Sequence, residues 1–248
     1  MVNRLMPGCD LQWNVLPVHQ SESYVRQIID KGRDDGTLSG LILIACPRTV
    51  QEIALELNVP AVVFGGVYAT TSALPSIDHD EFEVGFQLAQ HLVKAGHKKF
   101  GVIMRENRLP GDDRFMGGIH QALAEGELAF GAIVERSLPV DARAARDEVR
   151  KLFEADDRPT AMVCRDAFYA DVVVSVAEET GLVLGRDIDV VHDGVDNAEL
   201  RSAPLACMRS QLDLDIEAER VVELLNNVLE GTQDASECRT IPVALVPG

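Results

Sequence analysis

The sequence has few basic residues and no apolar run long enough to predict a membrane span. Its 23 lysines and arginines are outnumbered by 40 aspartates and glutamates, which gives a formal net charge of −17. This excess of negative charge disfavours contact with nucleic-acid phosphates. We therefore expect any DNA contact to come from residues outside this sequence.

A disulfide framework and a secretory signal are not indicated either. The five cysteines are odd in number, widely spaced and mostly placed in apolar runs. This usage predicts reduced, buried thiols. The first residues lack the long apolar segment of a signal peptide, so we expect a cytoplasmic protein.

The usual enzyme signatures do not occur in this sequence. It contains no G-x-S-x-G elbow, phosphate-binding loop, dinucleotide-binding turn, H-E-x-x-H or C-x-x-C pair. Asp78, His79 and Asp80 suggest a metal cluster by composition, but a turn entering a helix explains them more simply. The sequence therefore predicts no catalytic residue, cofactor or metal.

Apolar runs rich in valine, isoleucine and leucine alternate with segments of helical period. Strands are predicted at 13–18, 40–45, 60–64, 99–104, 132–138, 160–164, 188–191, 205–208 and 241–246. Helices are predicted near 21–35, 49–57, 81–95, 113–125, 142–154, 166–180 and 213–230. This alternation predicts an α/β fold with parallel sheets, in which ligands bind beyond the carboxyl ends of the strands.

Three stretches carry a family resemblance. Residues 76–104, SIDHDEFEVGFQLAQHLVKAGHKKFGVIM, resemble the lactose/galactose-repressor family, as does the Arg-Phe-Met-Gly-Gly run that begins at Arg114. Residues 158–191, from Pro-Thr-Ala through Gly-Leu to a second strand, are similar to the same family. The chain departs from the family pattern in two places, with Arg165 for the usual Asn and His192-Asp193-Gly194 for the usual Gly-aromatic-Asp.

The resemblance implies two doubly wound parallel-sheet lobes of the type I periplasmic-binding-protein kind, with a ligand cleft between them. It places residues 1–95 and 213–232 in the first lobe, and residues 97–210 and 235–248 in the second. It also implies an effector-binding domain of a transcription regulator that acts as a homodimer.

Two parts of the family pattern are missing from this sequence. The amino-terminal helix-turn-helix is absent, and so is the first strand, because Met1 to Gly8 resemble the end of the first helix. We hypothesise that the chain is a fragment or has a misannotated start, and that DNA is bound through an amino-terminal domain absent from this chain.

The expected effector is a small polar molecule, a sugar or sugar derivative, because Arg forks and carboxylates bind adjacent hydroxyls. Arg114 matches the family position that contacts the effector. Asp166 and Arg165 are expected at the facing turn of the second lobe, and Asp80 and Glu83 are expected to reach across from the first. Asp193 is a further candidate. Alternatively, Asp166 caps a helix and Glu83 is merely solvated.

Other assignments remain open at this point. A solute-binding protein for transport shares the implied fold, and a helix-turn-helix or a signal peptide upstream in the reading frame would distinguish it from a repressor. A cytosolic enzyme on a similar scaffold is the second alternative. Trp13, the only tryptophan, is expected to pack in the core, and the alternative is an aromatic side chain near the cleft that stacks on a sugar ring.

Overall fold

The computed structural model describes residues 8–17, 21–194, 205–232 and 237–248. Its helices are α1 (Ser21–Asp34), α2 (Arg48–Glu56), α3 (Glu81–Lys94), α4 (Pro110–Glu125), α5 (Ala142–Glu154), α6 (Ala167–Glu179) and α7 (Leu214–Leu229). Its strands are β1 (Leu41–Ile44), β2 (Ala61–Phe64), β3 (Ser76–His79), β4 (Phe100–Arg105), β5 (Ile133–Leu138), β6 (Ala161–Cys164), β7 (Asp189–Asp193), β8 (Ala206–Ser210), β9 (Cys238–Ile241) and β10 (Val243–Val246). No helix in these ranges combines the length and the apolar character needed to span a bilayer.

The described residues form two compact units. Unit 1 contains the chain up to His79 together with Leu212–Ile241. Unit 2 contains Asp80–Gln211 and Pro242–Gly248. Each unit is built on one sheet.

Unit 1 has a four-stranded parallel sheet in the order β1-β2-β3-β9. Val63 of β2 packs in one apolar cluster with α1 and α2, while its neighbour Val62 packs in a second cluster with α7. Successive strand side chains point to opposite faces. The uninterrupted apolar strands are therefore buried on both faces, as parallel sheets require.

Unit 2 has a six-stranded sheet in the order β10-β8-β7-β6-β4-β5, parallel except for β10. Phe100, Val102 and Met104 of β4 pack with α3 and α4. Ile103, between them, packs with α5 and α6. The predicted α/β fold with doubly wound parallel sheets is confirmed.

Helices α3 and α4 approach each other closely at two glycines. A Cβ atom at Gly118 would lie 2.0 Å from the carbonyl oxygen of Phe82, and one at Gly85 would lie 2.0 Å from that of Phe115. Both contacts are with backbone, which cannot move away as a flexible side chain can. The close packing of these helices thus depends on the absence of side chains at 85 and 118.

The predicted strand at 13–18 is wrong for its described part. Residues 9–17 form no regular secondary structure, and residue 18 lies outside the described residues, as does most of the helix end expected at 1–8. Trp13 is 78% exposed instead of packed in the core. The described sheet ends at β1, and residues 9–17 do not extend it as a further strand.

The division of the chain also differs from the predicted lobes. Helix α3, expected in the first lobe, lies in unit 2 because its apolar face packs with β4 and α4. Pro242 divides the strand predicted at 241–246, since proline has no N–H to donate to a ladder. Ile241 therefore ends β9 in unit 1, and Val243 begins β10 in unit 2.

We predict that Gly118→Ala lowers the free energy of unfolding by about 1–3 kcal/mol, the usual cost of overpacking. Gly117→Ala is the matched control, because a Cβ there would meet only the Phe82 ring at 3.7 Å. Alanine favours helix by up to about 1 kcal/mol over glycine, so the control should be neutral or stabilising. Urea denaturation measures both, and equal effects at the two positions would contradict the close-packing argument.

Candidate functional site

Charged residues collect at one edge of the unit 2 sheet. β4 ends at Arg105, β6 is followed directly by Arg165 and Asp166, and β7 ends at Asp193. These three strands are neighbours in the order β7-β6-β4 and run parallel. Their carboxyl ends therefore share the edge at which ligands bind in sheets of this kind.

Arg165 is a buried cation at the centre of this edge, with a side chain only 4% exposed. Its Nε donates to Asp112 at 2.7 Å, its Nη2 donates to Glu81 at 2.7 Å, and its Nη1 donates to Asp193. The guanidinium also lies 4.8 Å from the centre of the Phe115 ring. All three guanidinium nitrogens are thus engaged by the protein itself.

The electrostatics of Arg165 follow from this environment. Burial acts to lower its pKa, but the Glu81, Asp193 and Asp112 carboxylates outweigh burial and raise the pKa above its ordinary value. Arg165 is therefore permanently charged. The three carboxylates gain a fixed counter-ion in return.

The two departures from the family pattern contact each other. Arg165 replaces the usual Asn and pairs with Asp193, which belongs to the altered His192-Asp193-Gly194 run. His192 Nδ1 lies 2.8 Å from the carbonyl oxygen of Asp193. The departures thus form one interaction across neighbouring strands.

Asp112 connects this ion cluster to a second arginine. It is fully buried near the start of α4, and its Oδ2 accepts a hydrogen bond from the backbone N–H of Leu109 at 2.9 Å. The same oxygen lies 3.1 Å from Nε of Arg105. Asp112 thereby holds the start of α4 against the ends of β4 and β6.

Asp166 begins α6. Its Oδ1 accepts a hydrogen bond from the backbone N–H of Tyr169 at 3.1 Å, so the helix-cap interpretation is correct. Burial raises the pKa of the Asp166 carboxyl, against the cap hydrogen bond and the nearby Arg105 and Arg165 guanidinium groups, which lower it. Its other oxygen, Oδ2, accepts no hydrogen bond from a residue that the structure describes.

The remaining predicted site residues lie together at the start of α3. Asp80 caps α3 by accepting from the N–H of Glu83 at 3.2 Å, and its Oδ1 lies 3.5 Å from Nη2 of Arg114. Glu83 accepts from Gln87 at 2.6 Å. The Arg114 side chain is 46% exposed. Asp80 and Glu83 were expected to reach across from the first lobe, but they belong to unit 2 with α3.

Sequence reasoning missed Glu81, Asp112 and Arg105 as residues of this edge. Glu81 and Asp112 occupy the first turns of α3 and α4, where acidic residues are usually solvated and interact with the helix dipole. No sequence signal marks such a residue as the partner of a distant arginine. Arg105 was visible as a polar residue at a strand end.

Asp78 and His79 lie in β3 instead of the expected turn, and both are buried. His79 Nε2 lies 3.2 Å from Oε1 of Glu217 on α7, which is also buried. Among the described residues, no group of three or more His, Cys, Asp or Glu side chains is arranged to hold a metal ion.

Comparison with known proteins places the fold and the sequence in one family. Residues 89–248 match the family model described as a periplasmic binding protein-like domain. The chain belongs to this family. One curated relative is the HTH-type transcriptional repressor PurR of Haemophilus influenzae. It is 25% identical to this periplasmic binding protein-like chain, and the match covers 89% of this chain and 66% of that protein. Another is the HTH-type transcriptional regulator AglR of Rhizobium meliloti, 28% identical over 77% of this chain and 54% of that protein.

Solved structures share the fold. A LacI-family regulatory protein from Chloroflexus aggregans superposes with a TM-score of 0.77 at 19% identity, covering 92% of this chain and 82% of that one. A LacI-family regulator from Enterococcus faecium with bound ribose gives a TM-score of 0.74 at 15% identity, covering 96% and 84%. The resemblance to the lactose/galactose-repressor family is confirmed. This periplasmic binding protein-like chain spans about half to two thirds of the length of the curated relatives.

We predict that Arg165→Met lowers the free energy of unfolding by about 3–5 kcal/mol, because it leaves buried carboxylates without their counter-ion. Arg114→Met is the control. Its 3.5 Å pair with Asp80 is largely exposed, and such pairs contribute about 1 kcal/mol or less. Chemical denaturation of both variants measures the difference. Equal losses would contradict the central role of Arg165.

Asp166→Asn should increase stability at pH 7. The pKa of Asp166 is higher in the folded state than in the unfolded state, so its ionised form disfavours folding. Its neutral form favours folding at low pH, and this stabilisation is lost as the pH rises through the folded-state pKa. Asparagine caps helices as well as aspartate does, so the substitution keeps the cap.

The gain from Asp166→Asn should shrink as the pH falls towards the ordinary aspartate pKa of about 4. Asp141→Asn is the control, since Asp141 caps α5 in the same way but is exposed. Urea denaturation at several pH values tests this, and a gain that is absent at pH 7 would refute it.

Proposed function

We propose that this chain is the effector-binding part of a LacI-type transcription regulator and that its effector is a sugar or sugar derivative. The supporting observation is that the curated relatives matched over most of the chain are repressors and regulators. LacI-family structures with this fold contain ribose, and the regulator CelR forms a complex with cellobiose. These relatives are named as a repressor and a regulator, and we propose that the chain binds its ligand without transforming it.

The effector-binding surface in this proposal is the charged edge of unit 2. Arg114 and Asp166 contact the effector. Arg165 and Asp193 act on it indirectly, because they are occupied by each other and hold the edge in place. Asp80 and Glu83 orient Arg114 through the start of α3.

The regulatory step follows from linkage. An effector changes an equilibrium only by binding one arrangement more tightly than the other. We propose that the effector closes the two lobes of each chain, and that this closure shifts a homodimer between arrangements with high and low affinity for an operator. DNA-binding residues would lie outside this sequence, because the net charge of −17 disfavours direct contact with DNA. Such a regulator works in the cytoplasm.

The first test is thermal denaturation of the 248-residue chain with neutral sugars, including ribose and cellobiose, and with nucleobases. A sugar present at 100 times its Kd should stabilise the chain by about 2.7 kcal/mol, which corresponds to a Tm increase of about 5–10 °C. Arg114→Ala should abolish the increase. Arg143→Ala, an exposed arginine on α5, should retain it.

Two results would refute the proposal. One is a panel in which no sugar raises the Tm of the wild-type chain. The other is a nucleobase that raises the Tm when no sugar does, since it would assign a different ligand class.

A further inference from the structure

Arg105 differs from Arg165 in what its guanidinium contacts. Its Nε lies 3.1 Å from the buried Oδ2 of Asp112, which holds the stem of the side chain at the edge of the sheet. No described residue accepts a hydrogen bond from Nη1 or Nη2 of Arg105, and the side chain is 26% exposed. One end of Arg105 is therefore anchored while its outer donors remain available.

Asp166 follows the strand next to that of Arg105. Strands β4 and β6 run parallel and their register ends with Ile103 opposite Cys164, so Arg105 and Asp166 each come two residues later at the same edge of the sheet. Burial raises the pKa of the Asp166 carboxyl, and the Arg105 guanidinium opposes this rise. Within the described part of the chain, Oδ1 of Asp166 is occupied by the Tyr169 N–H, while Oδ2 has no hydrogen-bond donor.

The charges around this pair determine which ligand it suits. Arg105 and Arg165 supply two positive charges. Four carboxylates supply one negative charge each: Glu81, Asp112, Asp166 and Asp193. With all groups ionised the cluster has an excess of two negative charges, so a carboxylate or phosphate on a ligand would be repelled.

A hydroxyl group suits both members of the pair. It accepts a hydrogen bond from a guanidinium N–H and donates one to a carboxylate oxygen, and two adjacent hydroxyls can do both at once. Hydrogen bonds to charged partners are also the stronger ones.

We propose that Arg105 and Asp166 together bind an uncharged ligand that carries adjacent hydroxyl groups, and that this pair discriminates against sugar acids and sugar phosphates. The inference rests on the proposed function and specifies it further. It assigns effector binding to Arg105, which no sequence motif indicates, and it assigns Arg165 to positioning, because all of its nitrogens are already engaged.

The experiment is isothermal titration of the 248-residue chain with two matched probe pairs. One pair is D-ribose and D-ribose 5-phosphate, and the other is cellobiose and cellobionate. We expect at least one neutral probe to bind and its anionic partner to bind at least tenfold more weakly. Raising the salt concentration should reduce this preference, because salt screens charge repulsion.

The variants are Arg105→Gln, Arg105→Lys and Asp166→Asn. Each should weaken binding of the neutral probe at least tenfold. Arg105→Lys keeps the positive charge opposite Asp112 but loses the planar fork, and Asp166→Asn keeps the helix cap, so both should fold even if Arg105→Gln does not. Arg108→Gln is the control, because Arg108 is similarly exposed but pairs with Glu135.

The outcomes separate this inference from the proposed function. If a neutral probe binds the wild-type chain and folded Arg105→Lys and Asp166→Asn bind it as tightly, the inference is wrong and the proposed function stands. An anionic probe that binds as well as its neutral partner also overturns the inference. If no neutral probe binds the wild-type chain, the proposed function fails and the inference fails with it.

Discussion

The side chain of Arg165 is almost completely removed from water, and an isolated charge cannot be buried in this way without a large loss of stability. It is stable because three carboxylates from different elements surround it. Glu81 comes from the start of α3, Asp112 from the start of α4 and Asp193 from the end of β7. The positions of both helix starts relative to the sheet therefore depend on one guanidinium.

This ion cluster also determines which groups remain for a ligand. Arg165 uses its nitrogens on protein partners, whereas the outer nitrogens of Arg105 stay free of described partners because only its Nε meets Asp112. Asp166 is placed by its helix cap and keeps one oxygen available. A surface whose polar groups are held by buried contacts loses little side-chain entropy when a ligand binds.

The family relationship explains the fold but not the chemistry of this edge. Arg165 and Asp193 occupy positions where the family usually has other residues, and they pair with each other. A substitution that introduces a buried charge is tolerated when its counter-charge is present. The individual contacts at this edge must therefore be read from the residues of this chain.

The sequence by itself determined the fold class and the order of most helices and strands, because uninterrupted apolar strands and amphipathic helices are local patterns. It also indicated that Arg165, Asp166 and Asp193 lie at one sheet edge, since they follow parallel strands. It was wrong about residues 13–17, because strand pairing is a long-range contact that a local apolar pattern does not determine. It placed α3 in the first lobe, whereas α3 packs with β4 and α4 in unit 2.

Tertiary structure alone decided how the charged residues pair. Glu81 and Asp112 are typical first-turn residues of helices by sequence, yet both face Arg165, which is 84 and 53 residues away along the chain. Such pairing depends on how α3 and α4 pack at Gly85 and Gly118, a contact between distant segments. For the same reason the two outer guanidinium nitrogens without a partner among the described residues belong to Arg105, whereas each nitrogen of Arg165 donates to a carboxylate.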